Sequence, residues 1–316
     1  MGYAYALCAA LLFGMNGSVT KVIIGTGIEP AQLTLFRVAG TGLIAGAVLL
    51  VANRHAFRVT WRQLAILVGL GITGVALLQF AYAVAISVLP VGITLLLEYT
   101  AVLMVALVAF FFFKERVRAR LWIAIGFVLA GLAVVAQIWA SDLHPFGVAM
   151  AFSAAICLAI YFLVGEREVS KTSPMAVAFW TMAAATVFWL LLSGWWNIDP
   201  AVFGESVSLS GNLAGVQLPL YLPLLWNVLL GSFLPFLLSL LALKHLTATA
   251  AGIVASAEVI FAFIGAWLWL GEGLNLVQII GAAVVLAGII LAQTARLDKV
   301  VDADLAITAE RSNSLV

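Results

Sequence analysis

The fold is decided by residues 90–131, which read PVGITLLLEYTAVLMVALVAFFFFKERVRARLWIAIGFVLAG. Two apolar runs, each close to the length of a membrane helix, flank a short basic segment that begins at Lys114. The first run contains one acid, Glu98. A carboxylate costs about 2.5–3.5 kcal/mol at the centre of a membrane helix on insertion scales, so an acid retained there is predicted to be functional.

The same pattern recurs in the second half of the chain. At an offset of 157 residues, Glu115 aligns with Glu272, and segment 128–131 aligns with 285–288, both reading VLAG. Glu258 is the acid of the second copy, and it lies three positions out of register with Glu98. Because three residues are close to one helical turn, we expect the two acids to face one central cavity.

The composition is that of an integral membrane protein. Of the 316 residues, 65% are hydrophobic and only 9% are charged, whereas soluble domains have about 25% charged residues. No clustered basic face for nucleic acid is present. The three His and two Cys residues are scattered, so we expect no metal site and no cofactor. Apolar runs predict ten spans near residues 2–24, 30–52, 63–86, 91–113, 121–140, 145–164, 174–196, 219–243, 248–270 and 275–294.

The basic residues predict the orientation of these spans. If the N-terminus is cytoplasmic, thirteen of the 15 Lys and Arg residues lie on the inside, and the outside loops contain none. Both termini are therefore predicted to be cytoplasmic. The remaining two, Lys21 and Arg37, fall inside spans, and Lys21 is close enough to the outer end of span 1 for its side chain to reach the interface. The inside residues are Arg54, Arg58, Arg62, Lys114, Arg116, Arg118, Arg120, Arg167, Lys171, Lys244, Arg296, Lys299 and Arg311.

Five spans in each half predict an inverted repeat. An odd number of crossings gives the two halves opposite orientations, as in secondary transporters whose substrate site lies near the midplane between the repeats. We therefore predict an all-α membrane protein with ten transmembrane helices around a central cavity. The predicted units are a first repeat over 1–140, a second repeat over 145–294 and a disordered cytoplasmic tail over 295–316.

Buried charges are the strongest candidates for a substrate or proton site. Arg37 and Glu98 each lie seven residues from the outer face, about 10 Å deep at 1.5 Å per residue, so an ion pair is expected if their helices adjoin. Glu258 lies about 15 Å from the inner face by the same rise, near the midplane. If only one acid carries protons, we expect it to be Glu258. The alternative is a static buried pair or hydrogen-bonded acid that fixes packing.

Further polar or amphipathic side chains lie deep in the predicted spans. Some of them are expected to line the cavity, although hydrogen bonding between helices or plain packing explains any one of them equally well. These candidates are Asn16, Gln79, Tyr82, Tyr99, Tyr161 and Trp180.

Several short motifs resemble those of a known family. They are ALLFGMN at 10–16 with Lys21, Pro30 and Arg37, LPVGI at 89–93, LEYT at 97–100, Lys114-Glu115, Ala257-Glu258 and Gly271-Glu272. Over roughly residues 2–294 the chain resembles the EamA family of the drug/metabolite transporter superfamily. The LEYT segment is similar to that of threonine/homoserine exporters in this family. The resemblance implies a ten-helix protein of the bacterial inner membrane that exports amino acids or related metabolites.

The predicted function is secondary active export of small zwitterions, above all amino acids, by alternating access. The chain is not expected to be an enzyme. Its expected partners are a small-molecule substrate, protons as a candidate coupling ion, and the lipid bilayer. The oligomeric state is open, and a monomer is compatible with the sequence. Three alternatives stay open: a multidrug or lipophilic-cation exporter, an uptake carrier, and a membrane scaffold or receptor that transports nothing.

Overall fold

The computed structural model describes residues 1–52, 57–101, 103–105, 108, 119–135, 143–169, 171–243 and 254–291. The predicted tail 295–316, the start of predicted span 9 and most of the basic cluster 114–120 lie outside these residues. Most of the described chain is helical, which confirms the prediction of an α-helical membrane protein.

Ten helical segments follow one another along the described residues, and each overlaps one predicted span. They are α1 (Gly2–Ile24), α2 (Pro30–Ala52), α3 (Trp61–Val88), α4 (Val91–Val105), α5 (Ala119–Val135), α6 (Pro145–Val169), α7 (Pro174–Leu192), α8 (Tyr221–Val228, Leu229–Phe233 and Leu234–Leu243 in succession), α9 (Ala257–Leu270) and α10 (Leu276–Leu291). Six of them, α1, α2, α3, α6, α7 and α8, are long and apolar enough to cross a membrane. The other four are shorter within the described residues. The ten crossings, the inverted orientation and the location of the termini stay predictions.

Local sequence signals set the helix starts. Thr60 accepts a hydrogen bond from the Gln63 amide at the start of α3, and Ser173 accepts one from the Ala176 amide at the start of α7. Pro174 occupies the first position of α7, where a missing N–H costs nothing. The outer surface of the helices is apolar, with Leu191 70% exposed. This is the surface expected where lipid replaces water and every backbone group must be satisfied within the helix.

The two halves exchange helix contacts in a matching manner. In the first half α1 packs against α8 and α9 of the second half, and in the second half α6 packs against α3 and α4 of the first. The helices α2 and α7 pair with each other, and so do α5 and α10. The first helix of each repeat is therefore inserted against the acid-bearing helix of the other repeat.

The VLAG segments bring α5 and α10 into backbone contact. A Cβ atom added at Gly131 would lie 2.8 Å from the Gly281 carbonyl oxygen, and one at Gly288 would lie 2.9 Å from the Ala124 carbonyl oxygen. Only glycine allows this approach, because a side chain at either position would have to displace main-chain atoms. The repeated glycine therefore has a packing role.

One part of the fold departs from the all-α prediction. The polar 197–218 loop contains a two-stranded antiparallel hairpin, β1 (Ser206–Ser208) and β2 (Gln217–Pro219), with short 3₁₀ turns. The hairpin folds over the end of α9, where the Trp269 indole donates to the Leu209 carbonyl oxygen at 2.8 Å. Its strands form because the chain between two spans must satisfy its backbone groups locally.

Candidate functional site

The acid-bearing helices of both halves are interrupted next to their acids. The regular turns of the first part of α4 end at Glu98, and a turn follows at Tyr99 and Thr100. In the second half a turn at Ser256 separates helical residues 254–255 from α9, whose second residue is Glu258. The two interruptions are equivalent in the repeat, since Tyr99 aligns with Ser256. Irregular backbone at this depth is tolerated where it is buried in protein or lines a cavity.

A hydrogen bond between the two halves joins these interruptions. The Tyr99 hydroxyl donates to Oε2 of Glu258 at 2.7 Å, and it lies 3.4 Å from the Ala255 carbonyl oxygen. The structure thus brings together the two predicted site residues Tyr99 and Glu258. The sequence offered no partner for Glu258, and the structure supplies one because the turn after Glu98 directs Tyr99 across the interface.

Glu98 has the opposite character. Its side chain is only 9% exposed, and its Oε2 atom has no hydrogen-bond partner among the described residues. It interacts electrostatically with Glu258 and with Arg37. A buried carboxylate is costly unless it is paired or protonated. That Glu98 binds a proton or a positively charged group stays a prediction, which this buried and unpartnered oxygen motivates.

Arg37 does not form the predicted ion pair with Glu98. Its Nε atom donates to Ser232 Oγ at 2.5 Å and its Nη2 atom donates to the Gly231 carbonyl oxygen at 3.1 Å. The reason is that α2 packs against the π-helical turns Leu229–Phe233 of α8, whereas α4 lies against α6 and α9. Arg37 nevertheless interacts electrostatically with Glu98, Glu258 and Tyr82, so these four predicted residues share one region of the interior.

Asn16 belongs to a neighbouring polar cluster that links α1 to α8. The Asn227 side chain, which is fully buried, donates from Nδ2 to Asn16 Oδ1 and to Thr20 Oγ1, both at 2.9 Å. Gly231 lies directly against Asn16, so this cluster adjoins the Arg37 contact. Asn16 thus forms hydrogen bonds between helices, which the sequence analysis gave as the alternative to lining the cavity. Thr20, Asn227 and Ser232 were not predicted, because a single Ser, Thr or Asn in a span carries no distinctive signal.

The remaining candidates fall into two groups. Tyr82 is buried, interacts electrostatically with Glu98 and Arg37, and so belongs to the acid region. The second group lies on α3, α6 and α7 and consists of Gln79, Tyr161 and Trp180, respectively. Tyr161 packs against Gly74 of α3. Gln79 Oε1 and Trp180 Nε1 are buried without a partner among the described residues. Their contact with a substrate stays a prediction.

A charged junction near the α3–α4 connection was not predicted as a unit. Lys21 Nζ donates to Glu272 Oε1 at 2.5 Å and to the Leu89 carbonyl oxygen at 3.0 Å, while Glu272 Oε2 accepts from the Val91 amide at 2.9 Å. Lys21 therefore has an anionic partner at this junction, and the expectation that its side chain reaches the interface stays a prediction. Gly271 ends α9 in the left-handed conformation (φ 71°), which turns the chain so that Glu272 reaches the start of α4. Residues 251 positions apart could not be paired from sequence alone.

A cavity near this junction is apolar. It has a volume of about 390 Å³ and lies between α1, α8, α9 and the hairpin, with Val19, Trp226 and Trp269 in its wall. None of the predicted site residues lines it. Within the described ranges, no group of three or more His, Cys, Asp or Glu residues could hold a metal ion.

Known proteins resemble this chain over both halves. The profile of the EamA-like transporter family matches residues 1–137 and 145–294. The threonine/homoserine exporter RhtA of Salmonella typhimurium (strain SL1344) is 27% identical over 251 residues, which cover 78% of this chain and 77% of that protein. RhtA of Escherichia coli (strain K12) is 27% identical over 210 residues, covering 66% and 65%.

Two further proteins resemble this chain more distantly. An uncharacterized transporter of Archaeoglobus fulgidus is 26% identical over 229 residues, covering 69% of this chain and 74% of that protein. A crystal structure that is 18% identical covers 90% of this chain and 96% of its own, with a TM-score of 0.59, which shows a shared fold. Because the family profile spans both halves, the chain belongs to the EamA-like transporter family and is a multi-pass inner-membrane transporter of small metabolites.

Proposed function

We propose that the protein exports amino acids or closely related zwitterions by alternating access between its two halves. The observation that carries this proposal is the arrangement of Glu98, Tyr99 and Glu258 at equivalent interruptions of α4 and α9. A hydrogen bond of 2.7 Å links one half to the other there, beside a buried carboxylate oxygen that has no partner among the described residues. Interrupted helices with buried charges at a repeat interface are typical of substrate sites in secondary transporters.

The carboxylates supply the chemistry that an ammonium group or a proton requires. Glu98 offers an oxygen that has no partner among the described residues, and Glu258 is oriented by Tyr99. A substrate ammonium or a proton at Glu98 relieves the cost of burying its charge. Exchange of one for the other at the same oxygen would couple export to the proton gradient.

The contact exchange between the halves supports the proposed motion. Because α1 packs against α8 and α9, and α6 against α3 and α4, a rocking of one half against the other changes the surroundings of both acids. The relatives named threonine/homoserine exporters support amino acids as the substrate class and export as the direction. Uptake would use the same architecture, so the direction is decided by measurement.

Transport by purified protein in liposomes tests the proposal. Radiolabelled threonine, homoserine and a panel of other amino acids are loaded inside or outside, with and without a pH gradient. We expect flux of at least one amino acid and a dependence on the gradient. The Glu258→Gln variant is expected to lose transport or its gradient dependence, whereas Glu205→Gln, which changes an exposed loop acid, is the matched control. No flux of any amino acid would refute the proposal, and unchanged gradient dependence in Glu258→Gln would remove the proton role of that residue.

A further inference from the structure

Arg37 is a cation inside a span whose direct partners are neutral. Its two hydrogen bonds go to a hydroxyl and to a main-chain carbonyl, those of Ser232 and Gly231. Among the described residues no carboxylate lies within ion-pair distance of it, whereas Lys21, the other cation that the sequence places in a span, is paired with Glu272. Charged side chains in a membrane interior pair with one another or with backbone carbonyls, and Arg37 has the carbonyl partner but no contacting anion among the described residues.

The guanidinium retains donors for such an anion. It has five N–H donors in a fixed planar arrangement, and Nε and Nη2 make the two hydrogen bonds to α8. Nη1 makes no hydrogen bond with any described residue, so the guanidinium keeps donors that no described partner uses. The contacts with α8 hold the guanidinium in one orientation, which lowers the entropy lost when a ligand binds.

The surroundings of Arg37 match the two ends of a zwitterion. Glu98 and Glu258 both interact electrostatically with Arg37, so two carboxylates and one guanidinium share the region. A guanidinium forms paired hydrogen bonds with a carboxylate, a geometry that an ammonium group cannot reproduce. A molecule with an ammonium group and a carboxylate therefore finds complementary charges at both ends.

We propose that Arg37 binds the carboxylate of the transported substrate and thereby selects zwitterions over simple amines. This inference rests on the proposed function, because it assigns one end of the substrate within the same site. Ser232 and the Gly231 carbonyl group position the guanidinium, and Glu98 receives the ammonium end. An amine without a carboxylate leaves Arg37 without its anion and adds an unbalanced positive charge beside it.

The test compares threonine with 1-amino-2-propanol, the amine that remains when the threonine carboxylate is removed. Flux of each compound is measured in liposomes that contain wild-type protein, Arg37→Gln, Arg37→Lys or Arg62→Gln. Arg62 is exposed near the start of α3 and serves as the control for loss of an arginine charge. A hydrogen-bonded contact with a charged group corresponds to about tenfold or more in binding. We expect wild-type protein and Arg62→Gln to prefer threonine by at least about that factor.

The variants distinguish recognition from structural support. Arg37→Gln is expected to lose threonine flux about tenfold while flux of the amine changes little, and Arg37→Lys is expected to keep part of the preference, because it retains charge without the planar geometry. Equal losses for both compounds, or unchanged threonine flux in Arg37→Gln, would overturn the inference.

A measurement on the wild-type protein covers the case in which Arg37→Gln cannot be purified. Thermal unfolding is recorded with increasing threonine or amine, since a ligand that binds the folded state raises its apparent stability. Equal apparent affinities would overturn the inference and leave the proposed function standing. Wild-type protein that transports neither threonine nor any other amino acid would instead refute the proposed function itself.

Discussion

The junction formed by Lys21 and Glu272 gives the sharpest test of how the two halves separate. Glu272 uses one carboxylate oxygen for Lys21 on α1 and the other for the Val91 amide at the start of α4. Glu98 lies two turns further along the same face of α4, because Val91, Thr94 and Glu98 are spaced i, i+3 and i+7. We therefore expect Glu272→Gln to loosen the face of the protein that is predicted to lie outside and to expose Thr94.

The expected magnitude follows from the burial of the pair. The side chains of Lys21 and Glu272 are 29% and 18% exposed, so the pair is partly desolvated. Fully exposed pairs are worth about 0–1 kcal/mol, and removing one partner of a buried pair costs about 3–5 kcal/mol. We expect about 1–2 kcal/mol here, since Gln retains an acceptor for the Val91 amide. This corresponds to a rise of about 5- to 30-fold in the open fraction.

Chemical labelling of a single cysteine measures that fraction. Thr94 is fully buried, and Thr94→Cys keeps a side chain of similar size between the junction and Glu98. The two native cysteines, Cys8 and Cys157, are unpaired and are replaced by alanine. The rate of reaction with a membrane-impermeant maleimide is then compared in intact cells, with and without Glu272→Gln.

Two results would refute the reasoning. An unchanged labelling rate in Glu272→Gln would mean that the junction does not hold the helices closed. The second result concerns the Lys21→Met, Glu272→Gln double variant. The free-energy effects of mutating two residues in contact are expected to be non-additive. A labelling rate that rises by the product of the two single effects would therefore also refute the reasoning. Glu205→Gln, which removes an exposed acid from the loop before β1, should leave the rate unchanged.

Two further predictions concern stability and are measured by thermal unfolding in detergent. Tyr99→Phe removes the donor to Glu258 Oε2 and is expected to lower the free energy of unfolding by about 1.5–3 kcal/mol. A Tyr99→Phe, Glu258→Gln double variant should lose less stability than the sum of the two single losses. Additive losses would contradict the hydrogen bond. Gly131→Ala forces a Cβ atom against the backbone of α10 and should lower the free energy of unfolding by about 1–3 kcal/mol. The control is Gly126→Ala, whose Cβ atom would meet nothing within 4 Å and should not lower stability. Equal effects of the two substitutions would contradict the close packing.

The sequence was a good guide to which side chains are special and a poor guide to their partners. Glu98, Tyr99, Glu258 and Arg37 are conspicuous because each interrupts an apolar run, and the structure places them in one region. The expected Arg37–Glu98 ion pair was inferred from equal depth alone. Depth along the membrane normal does not specify which helices are neighbours, and the packing of α2 on α8 gives Arg37 the partners Ser232 and Gly231 instead.

The expectation that Glu258 carries the proton, if only one acid does, stays a prediction, but the structure shows that the two acids differ in their hydrogen bonds. Glu258 is engaged by Tyr99, while Glu98 has an oxygen without a partner among the described residues. From sequence the two acids differed only in depth and in the Arg37 partner expected for Glu98, so their hydrogen bonding could not be foreseen. The distinction arises from the turn at Tyr99 and Thr100, which orients one tyrosine toward the other half.

The sequence by itself determined an α-helical membrane protein with two related halves, through its composition, its apolar run lengths and the VLAG repeat. The physical reason is that lipid permits few ways of satisfying backbone hydrogen bonds, and that an apolar run must match the thickness of the bilayer. Only the tertiary structure decided which charges meet. Lys21 with Glu272, Tyr99 with Glu258 and Arg37 with α8 are all contacts between distant parts of the chain. Such contacts depend on helix packing and on backbone turns at Gly271 and Tyr99, which leave no periodic pattern in the sequence.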